Sequence, residues 1–504
     1  MGNGVAFDND QYISEQATRI RERVSQFGDK LYLEFGGKLL FDYHAARVLP
    51  GYDPNVKMRL LQQLREDADI LLCIYAEAIE KKKIRADFGI TYDAETFKLI
   101  DELRGWGVNV LGVVITRYDG QPAAQVFKKR LERRNVKVYT HRYTKGYPTD
   151  VDLIVSDEGY GANDYIETQK PLIIVTGPGP GSGKLATSLS QIYHDHKHGI
   201  NSGYAKFETF PIWNLPVNHP VNIAYEAATA DIEDFNLIDP FHLEAYDKKA
   251  VNYNRDVEVF PVIRRILEKI GGESPYKSPT DMGVNQVGFA ITNDDLTRES
   301  AMQEVIRRYF RYRCEYVMGL ASKETYQRVE LLIKDFNLEP EYRRVVEPAR
   351  EAAEQARENE KGSEGIYCGG AMELTDGAIV TSSNSSHLHA ASSLVLHAIK
   401  HLANIPGEIK LLPPNIIDAV KNLKTEILNE KALSLDLEEA LIALSISATA
   451  NPAAKLAMEK LTALQGCEVH LTHMPTPGDE AGLRRLGVNL TSDPHFSTKD
   501  LFIT

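Results

Sequence analysis

Cysteine is scarce in this sequence. Only four occur in 504 residues (Cys73, Cys314, Cys368 and Cys467), scattered and never as a CxxC pair. That spacing excludes a disulfide framework and a structural zinc site, and fits reduced thiols in a reducing compartment. Long apolar runs are missing too, since nothing approaches the ~18 consecutive apolar residues of a membrane span. The N-terminus, MGNGVAFDNDQY, has neither a basic region nor an apolar stretch and does not read as a signal peptide. A cytoplasmic protein without a membrane partner is the expectation.

Basic charge is in the minority, with 58 Lys and Arg against 71 Asp and Glu for a net charge of −13. Binding to a nucleic-acid backbone calls for a basic domain or stripe. The dense basic runs, Lys128–Arg134 and Arg307–Arg313, carry apolar residues at helical spacing and read as solvated or subunit-facing helix surfaces. No nucleic-acid partner is indicated. Within the second run, Tyr309-Phe310-Arg311-Tyr312-Arg313 has the residue types enriched at interfaces, which predicts a homo-oligomer.

What the chain has in quantity is alternation. Apolar β-rich runs recur between helical stretches at Ile70–Tyr75, Val108–Thr116, Val136–Tyr139, Leu153–Val155 and Leu172–Val175. Such runs are the mark of strands buried on both faces of a parallel sheet. The predicted fold is doubly wound α/β with a mostly parallel sheet, a helical middle segment and a smaller C-terminal α/β domain. A helix is expected to open at Asp53-Pro54, as cap and first residue. Four segments follow from the composition shifts: an N-terminal α/β domain (1–165), a glycine-rich-loop segment with ordered, aromatic-rich loops (166–297), helices (298–360), and a C-terminal α/β domain (361–504). The charged, glycine-ended run Ala356–Gly365 marks the last boundary. In the final segment a hairpin is predicted to turn at Asp376-Gly377, followed by a long apolar helix from about His389 to Ala403.

One feature carries chemistry. The strand Leu172–Thr176 runs into Gly177-Pro178-Gly179-Pro180-Gly181-Ser182-Gly183-Lys184, and a helix begins behind it. Glycines let backbone N–H groups converge on an anion, and a helix N-terminus adds unsatisfied donors and partial positive charge. Lys184 adds a full charge. The match to a P-loop is imperfect: Pro178 stands where the first glycine belongs, and Leu185 where Ser or Thr would hold Mg²⁺. The expected phosphate-binding set is Gly177, Gly179, Gly181, Ser182, Gly183, Lys184 and Thr187, with ATP or another nucleotide with Mg²⁺ as the possible cofactor. The competing reading is a tight turn that only packs helix on strand.

Other groups are weaker. His194 and His198 share a helical face, yet Lys197-His198-Gly199 also reads as a helix C-terminal cap, so no metal site is assigned. Asp231, Asp234, Asp239, His242, Glu244, Arg255, Asp256, Glu258 and Asp281 form a mixed-charge series after the turn. From it Asp231, Arg255 and Asp256 are retained as candidate catalytic residues, together with Asp157 at the expected end of the strand before the turn. Asn384–His389 opens a helix after a hairpin, an order similar to zinc nucleoside deaminases, but the carboxylate and Pro-Cys-x-x-Cys of that chemistry are missing.

The stretches TGPGPGSGK, GYAKFETFPIWNLP, ATADIEDFNLIDPFHLEAY and NYNRDVEVFP resemble an uncharacterised bacterial protein family. So do EFGGKLLFDYHAARVLPG near the start, and LSISATANPAA and THMPTPGDEAGLRRLGVN near the end. The resemblance spans essentially the whole chain and implies a domain of unknown function. Some members carry an ATP-dependent peptidase label, for which this sequence offers no HExxH, no GxSxG and no proper Walker pair. The functional expectation is a protein that binds a nucleotide or phosphorylated metabolite at Gly177–Lys184, with phosphotransfer as the expected reaction. The alternative is a non-catalytic metabolite sensor or oligomeric assembly protein.

Overall fold

The computed structural model describes residues 4–85, 89–363, 365–429 and 433–498. The chain forms two compact units, residues 4–226 with 234–301, and 227–233 with 302–498. Their common boundary at 301/302 falls inside the helix Asp294–Val317.

The first unit holds strands β1 (Lys30–Phe35), β2 (Ala68–Tyr75), the short hairpin β3 (Ile84–Arg85) and β4 (Ile90–Thr91), β5 (Val110–Thr116), β6 (Val138–Thr140), β7 (Leu172–Thr176), β8 (Ser202–Phe207), β9 (Asn236–Ile238) and β10 (Val251–Tyr253). Six of them make one sheet in the order β6-β5-β2-β7-β1-β8, parallel throughout. Every residue of β1 and β7 is buried, because helices cover both faces. Side chains of β1 alternate between those faces. Lys30 and Tyr32 reach the fully buried Asp195 of helix Lys184–Lys197 at 3.0 and 2.9 Å. The opposite face packs on helix Asn9–Phe27, whose Phe27 ring lies where a Cβ of Gly203 would stand.

Between β1 and β2 the chain passes through helix Val56–Leu64, which packs on helix Asn9–Phe27. Behind β7 it passes into helix Lys184–Lys197, on the other face. Neighbouring strands β1 and β7 therefore send the chain to opposite faces, and a crevice opens at their carboxyl ends, where open α/β sheets bind ligands.

Two local expectations are corrected. Leu153–Val155 is no strand; Val151–Ile154 is one helical turn, because the Asp150 carboxylate accepts the Leu153 N–H at 3.0 Å and caps it. The helix expected at Asp53 opens at Val56 instead, with Asp53 accepting the Asn55 N–H at 2.9 Å in a turn before it.

In the second unit, β11 (Gly369–Glu373) pairs antiparallel with β12 (Ile379–Ser383) and with β13 (Glu468–Leu471). β14 (Asn489–Ser492) runs parallel to β13, giving the order β12-β11-β13-β14. The hairpin turns at Asp376-Gly377, and helix Ala390–Leu402 lays Leu394, Val395 and Ile399 into a core with Leu444 and Val469. The aromatic run expected at a subunit interface lies inward here. Phe310 and Tyr312 are buried, the first against the His470 ring. Two of the run's three aromatic rings serve this unit's own core.

Candidate functional site

Three of the turn's glycines are required by close neighbours. A Cβ on Gly177 would lie 2.3 Å from the Cys73 carbonyl oxygen, on Gly179 2.5 Å from the Tyr92 hydroxyl, and on Gly183 2.7 Å from Thr116. The turn is thus wedged between the carboxyl ends of β2 and β5. From β5, Thr116 donates to the Ser182 carbonyl at 2.7 Å and the Arg117 guanidinium to the Gly181 carbonyl. Because C=O and N–H point oppositely across a trans peptide, these bonds turn the N–H groups of Ser182 and Gly183 away from β5. Gly183 caps the helix in the left-handed region (φ 92°), without a side-chain bond to the first turn. Ser182 Oγ is buried with no hydrogen-bond partner among the described residues. Thr187 is committed elsewhere: fully buried, its hydroxyl faces Cys73 Sγ and His141 Nδ1, each at 3.5 Å.

Lys184, at the first helical position, extends toward β1. Its Nζ lies 3.8 Å from Glu34 Oε1, and the other oxygen of Glu34 accepts the Tyr204 hydroxyl at 2.8 Å. Glu34 pairs in register with Lys206 on β8, on the sheet face of helix Lys184–Lys197. Lys206 Nζ donates to both oxygens of Asp256 at 2.6 and 2.7 Å and stands 3.4 Å from Glu208 Oε1. The Tyr253 hydroxyl donates to the same Glu208 oxygen at 3.2 Å. A row of alternating charge thus runs along the carboxyl edge of the sheet, from the glycine-rich turn to a cavity of about 390 Å³ lined by Lys206, Glu208, Asp256, Trp213, His242 and Tyr276.

Burial sets the protonation of this row. It pushes the Glu208 carboxyl up to about 7; Lys206 opposes the shift, and the charges of Asp256 and Glu34 reinforce it. Burial alone would lower the Lys206 pKa, but Asp256, Glu208 and Glu34 more than reverse that and hold it as an ammonium. The cavity therefore has a carboxyl group that changes charge near neutrality beside a permanent cation. That pairing suits proton transfer.

The residues picked from sequence are dispersed. Asp256 reaches the cavity. Arg255 forms a fork on the fully buried Asp234 carboxylate, with Nη2 at 2.7 Å, so its charge is already answered. Asp157 contacts Tyr193 and Lys197, at the far end of the 14-residue helix and ~20 Å of rise from the turn. Asp231 accepts from Tyr312 at 3.1 Å within the other compact unit. Asp239 caps helix Pro240–Tyr246, and Asp281 completes the capping box that Ser278 opens on helix Pro279–Met282. His198 is the C-cap residue of its helix, and the described residues contain no group of three or more His, Cys, Asp or Glu placed to hold a metal ion. Glu34, Lys206 and Glu208 were missed. The signal for Lys206 and Glu208 was the charge at alternate positions of GYAKFETF, and for Glu34 the lone carboxylate in KLYLEF, each in a strand otherwise built for burial.

Known sequences place the whole chain. The N-terminal region of the domain of unknown function DUF1846 matches residues 5–337, and its C-terminal region residues 341–502. The chain belongs to the DUF1846 family. It is 54% identical over 499 residues to a UPF0371 protein of Clostridium botulinum (strain Kyoto / Type A2), covering 99% of both chains. A UPF0371 protein of Clostridium tetani (strain Massachusetts / E88) is 53% identical over the same length and coverage. The family is uncharacterised, so the chemistry has to be argued from the site itself. Among the described residues no helix is long and apolar enough to cross a membrane.

Proposed function

We propose that the first unit binds a nucleotide or other phosphorylated small molecule at Gly177–Lys184 and transfers its phosphoryl group. The observation that carries this reading is the position of Lys184. It stands at a helix N-terminus with no side-chain cap, in the crevice where β7 and β1 diverge, at the head of a charged row ending on Glu208. The N–H groups of Ser182 and Gly183 add donors, and the unpartnered Ser182 hydroxyl adds one more. Phosphoryl transfer needs positioning and charge stabilisation more than covalent chemistry, and these groups supply both.

The test is a thermal-shift titration of wild type and Lys184→Ala with ATP, ADP, pyrophosphate and sugar phosphates, with and without Mg²⁺. A ligand bound only by the folded state raises the melting temperature. The reading expects a shift in wild type that Lys184→Ala loses; equal shifts in both proteins would overturn it.

A non-catalytic metabolite sensor is the second reading, and one observation favours it. Lys184 already faces the Glu34 carboxylate, so an arriving anion competes with Glu34 and its occupancy is passed along the row. Tight binding without turnover of any bound phosphate would select this reading over the first.

A further inference from the structure

The cavity at the end of β8 lies at the other end of the charged row from the glycine-rich turn, and no residue of the turn lines it. Glu208, which lines the cavity, uses Oε1 for Tyr253 and Lys206, and its Oε2 has no hydrogen-bond partner among the described residues. His242 Nδ1 lies 3.0 Å from Ser278 Oγ, which leaves its Nε2 unengaged among the described residues. From helix Asn9–Phe27, Arg23 donates to Tyr276 at 3.1 Å, and its guanidinium has no carboxylate partner among the described residues. Donors and acceptors are thus spread around the wall rather than along one edge.

A flat heteroaromatic ligand needs a slot with parallel apolar walls. The cavity's aromatic rings are interrupted by charged and polar side chains, Arg23, Lys206, Glu208, His242 and Asp256, so its walls are not apolar. A polyol suits the wall better, because each hydroxyl both donates and accepts. The volume of about 390 Å³ lies at the small end of ligand pockets.

We propose that this cavity binds a monosaccharide-sized polyhydroxyl compound, with Glu208 accepting the hydrogen bond, and then the proton, of one of its hydroxyl groups. The role as proton acceptor rests on the phosphotransferase reading; the binding site does not. In that reaction the hydroxyl oxygen forms its bond to the terminal phosphorus of a nucleoside triphosphate held at the turn. The bond from that phosphorus to the diphosphate breaks, its electron pair leaving on the diphosphate, and the O–H proton passes to Glu208. Lys206, Asp256 and Tyr253 face Glu208 directly, with Glu34 and Lys184 behind them, and Lys206 keeps the ionised carboxylate in place.

The experiment is a thermal-shift and calorimetric titration with D-glucose, D-ribose and myo-inositol across pH 6–8. The proteins are wild type, Lys184→Ala, Glu208→Gln and Gln26→Trp, the last placing an indole from an exposed helix position into the cavity mouth. At least one compound is expected to stabilise wild type and Lys184→Ala but not Gln26→Trp. Its affinity should change several-fold between pH 6 and 8 in wild type and stay flat in Glu208→Gln. No stabilisation of wild type, or equal stabilisation of Gln26→Trp, overturns the site. A pH dependence that survives in Glu208→Gln overturns the role of Glu208. Pyrophosphate in the same titration reports on the turn alone, so failure of the phosphate reading and failure of the cavity are read separately.

Discussion

Lys184 and Glu34 form an ion pair across the switch point of the sheet, Nζ to Oε1 at 3.8 Å, with both side chains largely buried. The separation exceeds that of a tight charge-assisted bond, so the lysine is held rather than consumed. Removing the carboxylate charge should leave Lys184 freer for an anion. Glu34→Gln is expected to tighten pyrophosphate binding roughly five-fold, about 1 kcal/mol for one partly buried charge contact. Calorimetry checks it, and unchanged or weaker affinity would mean that the anion does not use Lys184.

The turn's glycines separate packing from binding. Gly183 combines φ 92° with a Cβ position 2.7 Å from Thr116, so Gly183→Ala should cost roughly 2–4 kcal/mol in urea unfolding. Gly181 has φ 69° and open space around its Cβ position, and alanine there should cost only about 1 kcal/mol. Equal costs at the two positions would contradict the wedged turn described here. Gly181→Ala is therefore the variant with which to ask whether the loop's conformation matters for ligand at nearly unchanged stability.

Two buried groups give stability opposite slopes with pH. Burial holds His141 down at about 4, whereas an unfolded histidine titrates near 6.5. Between these values the unfolded chain binds a proton that the folded chain refuses, so stability present above pH 6.5 is lost as pH falls. Glu208 works the other way: raised to about 7, it keeps its proton in the folded protein while the unfolded chain has lost it above about 4.5. Its contribution is complete at low pH and is lost as pH rises through 7, on the order of 3 kcal/mol. Glu208→Gln should flatten the decline between pH 5 and 8, and His141→Gln the decline below 6.5. Unfolding curves at spaced pH values check both, and an unaltered slope in either variant would refute that assignment.

How much of this was legible beforehand follows from what each residue had to do. Leu172–Thr176 announced itself because a central parallel strand must be apolar on both faces, and the glycines behind it because the turn needs them. The mixed-charge series led to Asp256 through the polar cluster Asn252–Asp256, which opens helix Asn254–Gly271 next to the cavity. Leu153–Val155 misled because three apolar residues cannot tell a strand from a capped helical turn, and Asp150 decided the matter. Lys206 and Glu208 were overlooked because the stretch behind the turn read as ordered loops, whereas Ser202–Phe207 is the edge strand of the sheet. Its charged face is covered by helices, and the charges answer one another. The insertion of β7 between β1 and β2 is a choice of crossover that no local pattern encodes, and it is what brings Lys184 beside Glu34.

The four cysteines are all buried and their thiols are pushed up, to about 12 for Cys73 and Cys368 and about 11 for Cys314 and Cys467, chiefly by burial. The thiolate is the reactive form. The native protein should give no fast phase with a thiol-specific disulfide reagent at pH 8, and four equivalents after denaturation. A rapid native equivalent would show that one of these thiols is more open than described.

The second unit hangs on Arg343. Nearly inaccessible, its guanidinium pairs with Glu468 at 2.5 Å and donates to the carbonyls of Val469 at 3.2 Å and Asn489 at 2.6 Å and to the Thr491 hydroxyl at 3.0 Å. One side chain thereby ties the segment before helix Val346–Glu358 to both β13 and β14. Arg343→Met keeps most of the apolar stem but leaves a largely buried carboxylate and three acceptors without their donor, a loss of about 3 kcal/mol. Because the partners lie in the small sheet, the damage should be local. Hydrogen exchange should quicken at the amides of β13 and β14 and stay unchanged at β1 and β7, which belong to the other compact unit. Uniform acceleration across both sheets would instead mean that the units unfold as one, and that Arg343 serves the whole chain.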